Sequence, residues 1–271
     1  AQALRGQLAA NEFENGIQMV QGDLVVELAW VAAPLLEYCM GAVAARVYTF
    51  TNELEKFFHL TIDRGTSRYH FSGCMVNSWS LTGEVGETPL HLTMSLVSYS
   101  GAPSATAFPS LSDPGDPVFF KDVSYARIAD IANAVGSGDN VGVKSINLSC
   151  ENNLQIDAHD SSNSALILQP IRNGFRTVNL TYGFARYYDS QPTTDLMTWK
   201  LTGAQLQAAL SLVSGGDSYT IQLPLCKLAD GASFNVAGPG VLEGEVVFEA
   251  FYNGTTNSYM SVTDQLQITA T

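Results

Sequence analysis

FFHLTIDRGTSRYHFSGCMVNSWSLTGEVGETPLHLTMSLVSYSG, residues 57–101, holds three runs in which apolar and polar side chains alternate. A period of two marks strands with one covered and one open face. The turn Asp63-Arg64-Gly65-Thr66 separates the first two runs, and the loop Gly83-Glu84-Val85-Gly86-Glu87 the second and third. Both are made of residues that tight connections favour. In the middle run Tyr69, Phe71, Met75, Trp79 and Leu81 share one face, and Ser72, Ser78, Ser80 and Thr82 the other. In the third run Leu90, Leu92, Met94 and Leu96 lie opposite His91, Thr93 and Ser95. Short connections between successive strands, with no βαβ rhythm, make the fold class mainly β: a sandwich or partial barrel with one or two short helices.

The same pattern returns downstream. VKSINLSC (143–150) sets Ile146 and Leu148 against Ser145, Asn147 and Ser149, and GFRTVNLTYGFARYY (174–188) sets Val178, Leu180, Tyr182 and Phe184 against Thr177, Asn179 and Thr181. Residue class for residue class, VNSWSLTG and LHLTMSL match VKSINLSC and VNLTYGF, which reads as an internal repeat of two hairpins. A duplicated subunit of this kind would allow a ring of three copies to imitate one of six.

Around these runs, Asp23–Val31 alternates as a strand, with Leu24, Val26, Leu28 and Trp30 opposite Val25, Glu27 and Ala29. Pro34 opens a short helix, PLLEYCM, that Gly41 ends. Residues 101–118 are loop, 118–123 a short strand and 136–142 a turn, while 125–135 has helical spacing in a strand neighbourhood. Residues 203–213, GAQLQAALSLV, have the spacing and composition of a helix. Residues 218–228 form a strand in which Pro224 demands an edge or a bulge. In the strand at 241–254, Glu243, Glu245 and Glu249 form an acidic stripe opposite Leu242, Val246 and Phe248. One or two strands close the chain. Residues 1–22 read as an N-terminal arm, and 23–271 as a single β domain.

Composition excludes several function classes. With 26 acidic against 13 basic residues the net charge is −13, opposite to what phosphate binding requires. Charged residues are only 14 % of the chain, so much of the surface is neutral and polar, a composition suited to burial between subunits. No apolar run is long enough to span a membrane, and the first residues lack a basic start followed by an apolar segment. Cys39, Cys74, Cys150 and Cys226 stand apart among apolar or small neighbours and read as buried free thiols.

The search for chemistry finds little. His59, His70 and His91 lie in strands as structural side chains, and Asp157, His159 and Asp160 belong to a solvated turn. GSGDNVG does not have the spacing of a dinucleotide loop, and no nucleophile elbow is present. The acidic pairs Glu53/Glu55 and Glu84/Glu87 lack a link to any cleft. The sequons at Asn147, Asn179 and Asn253 read as chance matches. No catalytic residue, cofactor or metal is expected. A second reading, a carbohydrate- or receptor-binding sandwich, rests on Tyr187, Tyr188, Tyr252 and Tyr259 as ligand platforms.

What needs a cause is the composition of the open faces. Solvated strand faces usually carry Lys, Glu and Arg. Here the central positions hold Ser78, Ser80, Thr82, Thr93, Ser95, Ser145, Asn147, Ser149, Thr177, Asn179 and Thr181. Short neutral side chains suit a smooth lumen or a packed polar interface. IDRGTSRYHFSGCMVNSWSLTGEVGETPLHLTMSLV resembles the signature region of tail tube proteins of long-tailed bacteriophages, and VQGDLVVELAW, VKSINLSCENNL and NGFRTVNLTY are similar to that family in the same order, over about residues 20–190.

The resemblance implies a structural virion protein of the phage tail, assembled in the host cytoplasm, without enzymatic activity. It implies homo-oligomeric rings, commonly hexameric, stacked into a hollow tube whose inner β-barrel is built of strands from every subunit. Partners would be the tail terminator, the baseplate or tip, and the tape measure protein. DNA would pass without specific binding during ejection. The Ser/Thr/Asn faces would line the lumen, with Glu84, Glu87, Glu243, Glu245 and Glu249 adding negative potential.

Overall fold

The computed structural model describes residues 20–29, 33–51, 54–103, 115–158, 168–184, 196–229, 233–235, 243–252 and 265–271. Its elements are β1 (Val20–Glu27), α1 (Leu35–Met40), β2 (Gly41–Ala44), β3 (Val47–Phe50), β4 (Phe58–Asp63), β5 (Arg68–Glu84), β6 (His91–Ser98), β7 (Ser100–Pro103) and β8 (Val123–Asp130). There follow β9 (Ser145–Glu151), β10 (Leu154–Gln155), β11 (Ile171–Arg172), β12 (Thr177–Phe184), α2 (Leu196–Thr202), β13 (Leu206–Ser214), β14 (Asp217–Leu228), β15 (Ser233–Asn235), β16 (Glu243–Ala250) and β17 (Gln267–Ala270). The protein is mainly β, as the alternation predicts.

One large antiparallel sheet dominates, in the order β1-β6-β5-β9-β12-β16-β14-β17-β3-β2, with β13 and β8 continuing from β14. It does not close into a barrel; it folds over itself. The Tyr182 hydroxyl of β12 donates to the Ala209 carbonyl of β13 at 3.3 Å. Along the sheet β13 is three strands from β12, about 14 Å at the usual strand spacing, so that bond crosses between two layers. The apolar faces of both layers meet in one core that includes Trp79, Leu81, Met94, Leu148, Leu180, Leu210 and Phe248.

Strand β14 carries the chain from one layer to the other. Its first residues pair with β17 and its last with β16. Between them the register with β13 shifts opposite Pro224, which provides the expected bulge in a strand that is not an edge.

Three expectations are corrected. Residues 206–213 of the expected helix belong to strand β13, which pairs with both β8 and β14. Residues 123–130 are strand β8, and half of the strand expected at 118–123 is a 3-10 turn, Phe120–Asp122. Met75 does not share a face with Trp79. A register shift between Val76 and Ser78 makes Asn77 a bulge, so Val76 joins the main core while Met75 turns to the other side and packs with Leu54 and Leu154.

β1 begins three residues before Asp23, inside the stretch read as an arm. Residues 1–19 lie outside the described residues, as do Trp30, Glu53, His159, Asp160, Tyr187, Tyr188, Leu242, Asn253 and Tyr259.

Candidate functional site

The polar faces become one surface because of register. Directly opposed residues of antiparallel strands point to the same side of the sheet. Across β6, β5, β9 and β12, Thr93 pairs with Ser80, Ser80 with Ser149, and Ser149 with Asn179. The next row runs His91, Thr82, Asn147, Thr181, and the row on the other side Ser95, Ser78, Glu151, Thr177. Ser145 lies opposite Glu84. All eleven Ser, Thr and Asn positions expected from sequence therefore lie on one continuous face, half-buried or exposed, and the opposite face of the same strands is buried core.

Strands β1 and β16 extend the face on both flanks. Asp23, Val25 and Glu27 lie opposite Ser95, Thr93 and His91. Glu245, Val247 and Glu249 lie opposite Gly183, Thr181 and Asn179. Glu84, Glu245 and Glu249 thus share the face and are exposed. Glu87 is exposed in the loop beyond β5 rather than on a strand, and Glu243 occupies the matching backbone position opposite Asn235. Sequence reasoning missed Asp23, Glu27 and Glu151. Their signal was present in the alternation of VQGDLVVE and in the last residue of SINLSCE, but strand neighbours had to be known before they could be grouped.

The six carboxylates on described side chains, Asp23, Glu27, Glu84, Glu151, Glu245 and Glu249, ring a centre of Ser, Thr and Asn. None of them lies directly opposite another, which avoids the repulsion that paired like charges create across strands. The basic side chain that register brings to the rim is Lys227, opposite Glu249. At the Glu84 end the 85–89 loop rises beside the sheet and leaves an open depression of about 400 Å³ between Thr82, His91 and Glu245.

Across five strand spacings the face is about 24 Å wide, and along the strands about 20 Å long.

Elsewhere, no group of three or more His, Cys, Asp or Glu that could hold a metal is found among the described residues. The four cysteines are free and buried, as expected. His70 Nδ1 shares a hydrogen bond with Thr61 Oγ1 at 2.9 Å, and its ring stacks on His59. No helix among the described residues is long and apolar enough to cross a membrane.

A flat, neutral, carboxylate-rimmed sheet face has the chemistry of a wall rather than of a reaction centre. The family model for the phage tail tube protein matches residues 1–250. The chain belongs to the phage tail tube protein family. This is a family of structural components of the virion tail and not a class of enzymes. No curated protein matches the chain at a significant level.

Proposed function

We propose that copies of this chain assemble into stacked rings, six to a ring, whose polar sheet faces form the lumen wall of a phage tail tube through which DNA passes during ejection. The observation that carries this reading is the continuous Ser/Thr/Asn face with its carboxylate rim. Short neutral side chains offer duplex DNA no donors that grip phosphate, and the carboxylates repel it. A basic wall would gain phosphate contacts, each contributing about 0.9 to the salt slope of binding, and would hold the genome in place.

Barrel closure between subunits is supported by β1. Among the described strands it pairs only with β6, which leaves its outer side to be covered. Closing the sheet through neighbouring copies removes that edge.

Residues 23–271 act in this reading as the tube-forming unit and 1–22 as an arm towards the next ring. The tail terminator, the tip or baseplate and the tape measure protein are the partners at the tube's ends and within it, and assembly takes place in the host cytoplasm. Electron microscopy of the concentrated full chain tests the reading. Hollow tubes or rings are expected; compact particles that bind glycans would replace it with the sandwich-lectin reading, to which the exposed Tyr252 would then belong.

A further inference from the structure

The polar sheet carries a local two-fold axis between β5 and β9. The rotation brings Ser80 onto Asn147, Leu81 onto Leu148 and Thr82 onto Ser149, and the same operation brings Thr93 onto Thr181, because Ser80 pairs with Thr93 as Asn147 pairs with Thr181. It extends to the flanks: Asp23, Val25 and Glu27 fall on Glu245, Val247 and Glu249, and Glu84 falls on Glu151. The match is not complete: His91 falls on Asn179, and Gly183 stands where Ser95 has its side chain, a position where a Cβ would strike the Ser145 hydroxyl.

An axis of this kind exchanges the two ends of the strands. A sheet unchanged by that exchange cannot by itself tell one end from the other, so it cannot direct head-to-tail stacking. Polarity must come from segments outside the repeat, and these differ sharply. At the Thr177 end, Phe175 is 90 % exposed and Ile171 59 % exposed. Arg172 lies between them in sequence, and the β4–β5 turn on the continuation of β5 past that end adds Arg64 and Arg68 to Asp63. At the Glu84 end, the loop after β5 presents Val85, 68 % exposed, between Glu84 and Glu87, with Glu245 on the adjoining rim.

We propose that these two ends are the axial contact between consecutive copies: Phe175 and Ile171 of one copy cover Val85 of a second copy, and the arginines of the first meet the second copy's carboxylates. The contact is heterologous and does not close, so it propagates along an axis. It rests on the tube reading and specifies which surfaces stack.

The test uses the full chain with Phe175→Ser and, separately, the double variant Glu84→Arg with Glu87→Arg, all at exposed positions, with urea midpoints recorded to show that each folds. Wild-type chain is expected to form tubes, and each variant single rings or short stacks. Phe175→Ser chain retains the carboxylate end and is expected to shorten wild-type tubes when mixed in. Variants that form tubes as long as wild type overturn the axial contact and leave the tube reading standing. Wild-type chain that stays discrete at every concentration overturns both.

Discussion

At the residue scale, the fold is locked by a polar side chain that the alternation could not reveal. Asn152 is fully buried and joins three segments. Its Nδ2 donates to the carbonyls of Cys39 at 3.1 Å and Val76 at 2.9 Å, and its Oδ1 accepts from Arg176 Nε at 3.1 Å. Arg176 also donates to the Thr51 carbonyl and lies over the Phe50 ring at 3.8 Å. In sequence, Asn152 and Asn153 look like turn residues at the end of a strand; only the packing of α1 against β5 gives Asn152 its partners. Asn152→Ala takes the amide away from two buried carbonyls and from the Arg176 Nε, at about 1–3 kcal/mol for each group left unsatisfied. A loss of about 3–5 kcal/mol is expected in urea unfolding, and a loss below about 1 kcal/mol would show that water replaces the amide.

The cysteines were legible in sequence, since each stands among apolar or small neighbours. Burial pushes the Cys150 thiol up to about 12 and raises those of Cys39, Cys74 and Cys226. A thiol that titrates higher in the folded than in the unfolded chain contributes stability that is whole below the ordinary thiol value of about 8.5 and is lost as the pH climbs toward the folded value. The urea midpoint is therefore expected to stay level from about pH 7 to 8 and to fall between about pH 9 and 12. Burial raises the Tyr182 and Tyr219 hydroxyls as well and steepens the fall. Replacing Cys150 and Cys226 together by Ala should make the decline shallower; an unchanged slope would assign it to Cys39, Cys74 and the tyrosines.

At the element scale, the strands that sequence located are those with one open face, and the one it read as a helix is covered on both. Seven successive residues of β13, Leu206–Leu212, are buried, including Gln207 and Ser211. The Gln207 amide donates to the carbonyls of Asp130 and Asn133, which satisfies a polar group on a covered face. A strand buried on both sides loses its period of two, and a run rich in Ala, Leu and Gln then matches helical spacing by composition alone. The Met75 error has a different origin, because a bulge inverts the pattern and leaves no mark of its own beyond Asn77. Within β5 the critical hinge is Gly73, with φ of 64°, where the strand leaves β6 and β9 and goes on to pair with β4 and β7. A Cβ there would lie 2.1 Å from the Tyr99 ring. Gly73→Ala adds about 1–2 kcal/mol of left-handed backbone strain to the displacement of that ring. Hydrogen exchange should quicken in β4 and β7 and not in β9 and β12; uniform protection would mean that Tyr99 moves aside without cost.

At the scale of the whole molecule, strand direction decides what the internal repeat means. A duplication that let three copies imitate six would place equivalent strands parallel along the ring axis, since ring symmetry preserves direction. Here β5 and β9, the equivalent strands, run antiparallel as neighbours. The repeat is therefore a two-fold within one wall segment, and the ring of six in the proposed tube needs six chains. The same symmetry places the carboxylates in exchangeable pairs, Glu84 with Glu151, Asp23 with Glu245 and Glu27 with Glu249, so neither direction of travel meets a different wall. Reversing a pair that lies outside the proposed axial contact, Glu27→Lys with Glu249→Lys, would set twelve ammonium groups in each proposed ring of six around the channel. In a sedimentation assay, wild-type tubes should leave short duplex DNA in the supernatant. The double variant should carry it down at about 50 mM salt and release it as salt rises, with a logarithmic slope of about 0.9 for every phosphate engaged. Each single variant should show the same intermediate retention, because the two-fold makes their positions equivalent. DNA that stays unbound to well-formed variant tubes would place the polar face outside the lumen.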